Sequence, residues 1–156
     1  MMTDTFADLS MRLRGRQTVI LGIGNPLRGD DAIGPILVDA LQGRVDATLI
    51  NAGEVPENYL NAIQAACPQV VLIIVALELG AEPGYLAVMD ADRLRAIENF
   101  TRNPGLTFLA VMIQDGTGAE VILLGVQPKA TSFAAELTRP VNQTLQRLEN
   151  MLVNVY

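Results

Sequence analysis

The chain of 156 residues contains no histidine and no tryptophan, and it has a single cysteine. One cysteine cannot form an internal disulfide bond, which suits a reducing compartment. A catalytic thiol would need a histidine partner, and the chain has none. We therefore expect Cys67 to pack as a small apolar residue just before Pro68.

Positive charge is also scarce, because 11 lysines and arginines face 17 acids and the net charge is −6. Nucleic acids and anionic membranes attract concentrated lysine and arginine, so neither is expected as a main partner. No apolar run approaches the roughly 20 residues that span a bilayer, and the best candidate, residues 70–79, is interrupted by Glu78. Residues 1–16 lack the continuous apolar centre of a signal peptide. The sequence predicts a cytoplasmic protein.

Apolar runs and helical patterns alternate along the chain. We interpret residues 1–16 as an amphipathic lead segment and residues 17–156 as a single domain. The predicted strands are residues 18–23, 47–50, 70–77, 85–89 and 120–126, with 70–77 at the centre of the sheet. The predicted helices are residues 35–41, 56–67, 92–100 and 138–153. Residues 115–118 form a predicted turn, and residues 106–113 fit either helix or strand. This alternation predicts an α/β fold, a three-layer α/β/α sandwich with a mostly parallel twisted sheet.

A glycine-rich loop, GIGNPLRGDDAIGP, follows the first predicted strand at residues 22–35. It departs from the dinucleotide-binding pattern G-x-G-x-x-G, because Leu27 occupies the third glycine position. The end of the second strand holds Asn51 where a ribose-binding acid is expected. Two carboxylates at the helix start would also repel a pyrophosphate. The loop therefore predicts no nucleotide cofactor.

Asp30 and Asp31 stand at the start of the helix that follows this loop. One acid can cap a helix, which is worth about 1 kcal/mol. The other lies near the carboxyl end of a central strand, where open α/β sheets build their sites. The second acid is therefore interpreted either as a functional group or as a second cap.

Five ordered motifs resemble those of the hydrogenase maturation proteases, the nickel-dependent endopeptidases that process NiFe hydrogenases, in the branch acting on hydrogenase 3-type large subunits. The likeness runs from about residue 18 to residue 148. The motifs are the loop from Gly22 through Asp30-Asp31 to Gly34-Pro35, then Gly53 with Pro56-Glu57-Asn58, then Gly80 with Pro83-Gly84, then residues 124–128 (LGVQP), and finally Thr138 with Pro140.

This resemblance implies an α/β/α sandwich, a helix at residues 106–113, and an enzyme that cuts a C-terminal extension from the large-subunit precursor once nickel is installed. It implies recognition of the nickel by an acid in the glycine loop, an acid after the central strand and a histidine farther on. The first ligand falls on Asp31, the second position on Val75 and the third on Arg102. No residue is assigned as a catalytic group.

The two substitutions bear directly on metal binding. Valine offers no donor atom, and arginine stays protonated and would repel a cation. A site of this composition is not expected to hold nickel in the family's manner. Glu78 is interpreted either as a replacement ligand or as a solvated loop acid. Asp30 and Glu57 are further oxygen donors, and an all-oxygen site would suit magnesium or calcium better than nickel.

Three functions therefore remain open at the level of sequence, one of them a hydrolase with a shifted, oxygen-only metal site around Asp31. The other two are as follows. The first is an active endopeptidase that processes the large subunit, which is its protein partner. The second is a catalytically inactive pseudo-enzyme that binds a protein partner, with the Arg102 guanidinium replacing the metal opposite Asp31. Asn25 and Asn58 are interpreted as turn builders, Asn25 beside the site. Gln127 is interpreted either as a peptide contact or as a partner for backbone groups.

Overall fold

The computed structural model describes residues 2–91 and 104–156, and within them the centre of the protein is a five-stranded sheet. The strands lie in the order β2-β1-β3-β5-β4. Their bounds are β1 Thr18–Ile23, β2 Thr48–Gly53, β3 Val70–Ala76, β4 Leu86–Asp90 and β5 Glu120–Val126. Strands β2, β1, β3 and β5 are parallel, and β4 runs antiparallel to β5 at one edge. The predicted mostly parallel sheet is confirmed.

Helices cover both faces of this sheet. Their bounds are α1 Met2–Leu13, α2 Ile33–Leu41, α3 Leu60–Ala65, α4 Pro104–Thr117 and α5 Arg139–Val155. Buried apolar side chains of α1, α2 and α5 form one core cluster, while those of α3 and α4 form a second cluster on the opposite face. The three-layer sandwich is confirmed. None of the helices in the described part of the chain combines the length and apolarity needed to cross a membrane.

Several element boundaries differ from those predicted. Strands β1 and β5 match to the residue, and residues 106–113 are helical within α4, as the resemblance implied. The turn predicted at residues 115–118 is wrong, because α4 continues to Thr117 and ends at Gly118, whose φ is +71°. Such a left-handed residue is a common helix terminator. The helix predicted at residues 92–100 lies outside the described residues.

The expectation for Cys67 is wrong, since its side chain is exposed rather than packed. Cys67 follows α3 with a φ of +48° and donates its N–H to the carbonyl oxygen of Gln64 at 3.0 Å. This turn points the side chain outward, and the next residue, Pro68, is the buried one. Local chain reversal rather than hydrophobicity sets the exposure of the thiol.

Helix α1 is fastened to the sheet by both apolar and charged contacts. Leu9 and Leu13 are fully buried in the first core cluster. Arg12 pairs with Asp90 and Glu120, and Arg16 pairs with Glu120 at 2.6 Å. The boundary between a lead segment, 1–16, and a domain, 17–156, stays a prediction.

Glycines allow α2 to begin directly against the carboxyl edge of the sheet. A Cβ on Gly34 would lie 2.5 Å from the carbonyl oxygen of Ile74 and 2.7 Å from the backbone of Ile23. A Cβ on Gly24 would lie 1.9 Å from the carbonyl oxygen of Asp31. Because all of these neighbours are backbone atoms, no larger residue fits without moving the chain. The close approach brings Asp30 and Asp31 to the ends of the central strands.

Candidate functional site

The carboxyl ends of parallel strands meet at one edge of the sheet, where α/β proteins build their sites. Here the edge carries the glycine loop after β1, the turn after β2 with residues 54–57, the turn after β3 with residues 77–85, and the long segment 127–138 after β5. Every site residue predicted from the sequence and described by the structure lies in or beside these segments.

Asp31 is half-buried and belongs to a 3₁₀ turn, Gly29–Ala32, that leads into α2. Its Oδ2 accepts a hydrogen bond from the backbone N–H of Asn25 at 2.8 Å. Its Oδ1 accepts none from the described residues. One oxygen therefore fixes the side chain, and the other, which no described residue engages, is the atom that could ligate a cation or accept a hydrogen bond from a substrate.

Asp30, the neighbouring acid, is 0% exposed and serves a different purpose. Its carboxylate accepts hydrogen bonds from the N–H groups of Lys129 (2.8 Å), Ala130 (3.1 Å) and Thr138 (2.7 Å), and from the Thr138 hydroxyl (2.7 Å). Burial raises the pKa of Asp30, but the bonds from Thr138, Lys129 and Ala130 outweigh it and hold the pKa below its ordinary value. Asp30 thus fastens the segment after β5 to the glycine loop.

Neither acid acts as a helix cap. The N-cap positions of the 3₁₀ turn and of α2 are Arg28 and Ala32, and neither makes a side-chain capping bond. The capping role considered from the sequence is replaced, for Asp30, by bonds to a segment about a hundred residues away. The two neighbouring acids therefore have different hydrogen-bond partners: Asp30 bonds residues 129–138 and Asp31 bonds Asn25.

Asn25 closes the glycine loop, since its Oδ1 accepts a hydrogen bond from the N–H of Leu27 at 2.8 Å. Its own N–H holds Asp31, so the residue both shapes the turn and orients the acid. This bond pattern is the Asx turn expected of an asparagine at such a position.

Glu78 and Gln127 form a second polar contact at the same edge. Gln127 is 4% exposed, and its Oε1 accepts hydrogen bonds from the N–H groups of Leu79 (2.7 Å) and Ala81 (3.3 Å). Its Nε2 donates to Glu78 Oε2 at 3.1 Å, while Glu78 Oε1 accepts the N–H of Gly80 at 3.2 Å. Of the two roles considered for Gln127, the structure shows the backbone-satisfying one. Glu78 is engaged in its own turn.

The described residues do not build a family-type metal centre. Val75 is 5% exposed and packs in the second apolar cluster, where it offers no donor. In residues 2–91 and 104–156 no group of three or more His, Cys, Asp or Glu side chains is arranged to hold a metal ion. Arg102, and with it the proposed pairing opposite Asp31, lies outside the described residues. Asp31 remains the one matched ligand position with an oxygen to offer.

A groove of about 480 Å³, which we call the β1–α4 groove, opens beside the glycine loop. Its apolar lining comes from Ile23, Leu106, Phe108, Leu109 and Met112, and its acidic rim from Glu54 and Glu57. Sequence reasoning missed all of these except Glu57. The available signal was that α4 has apolar side chains around almost its whole circumference, which is unusual for a surface helix.

Comparisons with known proteins agree with this architecture. Residues 36–155 match the family described as HycI, hydrogenase maturation protease. The chain is 33% identical over 138 residues to the hydrogenase 3 maturation protease of Escherichia coli K12, an alignment covering 84% of this chain and 88% of that protein.

Solved structures give the same result. The [NiFe] hydrogenase maturation protease HycI from Thermococcus kodakarensis has a TM-score of 0.86 at 30% identity, covering 95% of this chain and 97% of that one. The endopeptidase HycI from Escherichia coli has a TM-score of 0.76 at 29% identity, covering 88% and 90%. The family match over residues 36–155 and the 33% identity to a curated relative show that the chain belongs to the hydrogenase maturation protease family.

Proposed function

We propose that the protein is an endopeptidase that removes a C-terminal extension from a NiFe hydrogenase large-subunit precursor during maturation. Family membership gives the reaction class and indicates a protein substrate. The observation that supports the proposal at the level of the site is Asp31, whose Oδ2 is held by the Asn25 N–H and whose Oδ1, at the carboxyl edge of the sheet, accepts no hydrogen bond from residues 2–91 or 104–156.

The nickel ion in this proposal belongs to the substrate. One carboxylate cannot form a resident nickel site, and the described residues supply no further cluster of donors. A single oxygen can still bind a metal ion that the large subunit already holds through its own ligands, because divalent nickel accepts nitrogen and oxygen donors. Asp31 would then recognise the loaded precursor and position it, and the rigid loop around Asp31 would keep that oxygen in place.

The scaffold supports this role because the loop is fixed on both sides. The Gly24 backbone is in contact with Asp31, and the buried Asp30 fastens the next turn to residues 129–138. A donor held in one geometry loses little conformational entropy when it meets its ligand. Cytoplasmic location remains a prediction of the sequence.

The test is a cleavage assay on the full-length protein. Nickel-loaded large-subunit precursor is incubated with the wild type and with Asp31→Ala, and the shortened product is followed by intact mass. We expect conversion by the wild type and at least a hundredfold slower conversion by Asp31→Ala, the order of magnitude lost when a positioned polar group is removed from an active site.

Precursor without nickel is the matched control and should stay uncut. If the wild type binds the loaded precursor but leaves it whole, the pseudo-enzyme alternative replaces this proposal. Equal cleavage by Asp31→Ala would show that the acid has no part in the reaction.

A further inference from the structure

An exposed surface above the glycine loop combines apolar side chains with positive charge. Leu27 in the loop and Phe133 in the segment after β5 are 58% and 66% exposed. The Ala134 N–H donates to the Leu27 carbonyl oxygen at 2.7 Å, so the two apolar residues lie on neighbouring loops. With the exposed basic residues beside them they form a surface that we call the basic patch: Leu27, Arg28, Lys129, Phe133 and Arg139.

The cations of the basic patch are not neutralised by the part of the chain that the structure describes. Arg28, Lys129 and Arg139 form no ion pair with any residue of 2–91 or 104–156. Glu136 is the one acid in the sequence of residues 129–139. Because the chain as a whole carries a net charge of −6, this local excess of positive charge is the place where a second negatively charged surface is attracted.

The backbone beneath the basic patch is already fixed. The Asp30 carboxylate accepts the N–H groups of Lys129 at 2.8 Å and of Thr138 at 2.7 Å, one residue before α5 begins. The Asp31 N–H donates to the Arg28 carbonyl oxygen at 3.0 Å. The satisfied groups therefore lie below the surface, and a partner that contacts the exposed side chains above them needs no reorganisation of this backbone.

The β1–α4 groove has the complementary composition. On its floor, Phe108 and Met112 are 66% and 39% exposed. On its rim, Glu54 and Glu57 are exposed and form no ion pair with a residue that the structure describes. No basic side chain is among the described residues that line it. The patch and the groove thus both combine exposed apolar side chains with unpaired charge, and their charges have opposite signs.

The two surfaces lie on opposite sides of the same edge of the sheet. The basic patch leads into α2 and α5, which pack in the first core cluster, whereas α4 under the groove packs in the second. A two-fold axis in the plane of this edge, running along the width of the sheet, exchanges the two sides. Two copies that meet edge to edge therefore place each patch on the other copy's groove, which is a closed isologous contact.

We propose that the protein forms a two-fold dimer in which the basic patch of each copy packs on the β1–α4 groove of the other. The cations of the patch pair with Glu54 and Glu57. Leu27 and Phe133 pack on the apolar floor of the groove. The occupant of both surfaces is thus a second copy of this chain.

The dimer also covers the acid of the candidate site, because Asp31 lies between the two surfaces. On one side its N–H bonds to Arg28 of the patch. On the other side its backbone lies against Gly24, which directly follows the groove residue Ile23. The dimer is therefore a closed form that excludes the precursor. This consequence rests on the proposed function, whereas the dimer itself does not.

The first experiment is analytical ultracentrifugation of the full-length protein over a wide range of concentrations. We expect a monomer–dimer equilibrium whose dissociation constant is at least about tenfold higher at about 0.5 M salt than at about 0.1 M, because screening weakens attraction between exposed charges. A monomer at every concentration, a dimer that is insensitive to salt, or open-ended assemblies larger than a dimer would overturn the proposal.

The second experiment reverses charges on each surface in turn. One double variant carries Glu54→Lys with Glu57→Lys, and the other carries Arg28→Glu with Lys129→Glu. Each alone places like charges across both contacts and should self-associate at least about tenfold more weakly than the wild type. An equimolar mixture restores opposite charges across both contacts and should form a heterodimer as tight as the wild-type dimer. Wild-type self-association of either variant, or a mixture that stays monomeric, would overturn the proposal.

Matched controls lie on α1 and directly after it, outside both surfaces. Asp8→Lys and Arg14→Glu reverse exposed charges, and Met11→Gln changes a side chain that is 79% exposed. All three should leave the dissociation constant unchanged, whereas Phe133→Gln should raise it about tenfold. Amide spectra show whether each variant folds, and the salt dependence of the wild type tests the dimer without any variant. Equal weakening by the controls would reject the assigned surfaces.

The dimer and the proposed function fail in different ways. If the wild type leaves the loaded precursor whole while the charge-reversed variants restore each other's dimer, the endopeptidase proposal is wrong and the dimer stands. If the wild type cuts the precursor but stays monomeric, the dimer is wrong and the function stands. Cleavage activity per molecule should fall as the protein concentration rises through the dissociation constant, and constant activity would show that the dimer leaves Asp31 open.

Discussion

The two halves of the sheet's carboxyl edge are built on opposite principles. In the loop half, made of residues 24–31 and 127–138, the buried carboxylate of Asp30 is fully engaged by four hydrogen bonds. In the groove half, made of Ile23, residues 54–57 and the first turns of α4, apolar side chains are exposed and two carboxylates have no ion-pair partner among the described residues. Satisfied groups build a scaffold, whereas unsatisfied exposed groups are free to recognise a partner.

The difference matters most for the adjacent acids of the glycine loop. Burying a carboxylate raises the free energy of the folded state unless hydrogen bonds compensate it. The four hydrogen bonds to Asp30 therefore indicate a structural role. Asp31 has one bonded oxygen and one that is not bonded to a described residue, and we propose it as the functional acid of the pair. We therefore propose a structural role for Asp30 and a role in substrate recognition for Asp31, and variants at the two positions test this difference.

The largest expected effect is on stability in the loop half. Asp30→Asn should lower the free energy of unfolding by about 3 kcal/mol, because the new amide group faces N–H and O–H donors instead of accepting from them. Asp31→Asn should cost less than about 1 kcal/mol, since asparagine keeps an oxygen for the Asn25 N–H. Urea unfolding of both variants measures the contrast.

Equal losses at the two positions would erase the distinction between scaffold and site. A small decrease in unfolding free energy for Asp30→Asn, together with a large one for Asp31→Asn, would mean that Asp31 is the structural carboxylate. The role in substrate recognition that we propose for Asp31 would then be wrong.

A somewhat smaller effect should appear with pH. The pKa of Asp30 is lower in the folded protein than its ordinary value, so its ionisation stabilises the fold above that ordinary value, near 4. This stabilisation is lost as the pH falls through the ordinary value toward the folded one. The difference in unfolding free energy between the wild type and Asp30→Asn should therefore be constant from about pH 6 to 8 and shrink below about pH 4.

Urea unfolding of both proteins over this range checks the prediction, because contributions from other carboxylates cancel in the difference. If the difference in unfolding free energy between the wild type and Asp30→Asn grew as the pH was lowered, Asp30 would be neutral in the folded protein.

The smallest expected effect is in the groove half. The double change Glu54→Gln and Glu57→Gln should alter the unfolding free energy by no more than about 0.5 kcal/mol, as is usual for exposed side chains without structural partners. Thermal or urea unfolding measures it. A loss comparable with that of Asp30→Asn would show that these acids support the fold, and the two halves would no longer differ in kind.

The strands could be predicted from sequence because their signals are local. Residues 18–23 and 120–126 are nearly continuous apolar runs bounded by polar or glycine residues, which is typical of strands buried on both faces. The same local logic fails for residues 106–113. Helix α4 has apolar side chains toward the core and also toward the groove, so its periodicity is weak and fits two structures.

The role of Asp30 could not be predicted, because its partners Lys129, Ala130 and Thr138 lie 99 to 108 residues away along the chain. Nothing within the loop distinguishes Asp30 from Asp31 before the segment after β5 is placed. The groove is a similar case, since Phe108 and Met112 are ordinary apolar residues until the fold leaves them exposed beside Glu54 and Glu57.

The most direct test of the central claim measures cleavage and stability on the same protein preparations. Wild type, Asp31→Asn and the matched variant Asp8→Asn are each unfolded in urea and each incubated with nickel-loaded precursor. The account predicts that Asp31→Asn stays within about 1 kcal/mol of the wild type in stability yet loses at least about a hundredfold in cleavage rate, while Asp8→Asn changes neither. Undiminished cleavage by stably folded Asp31→Asn would contradict it.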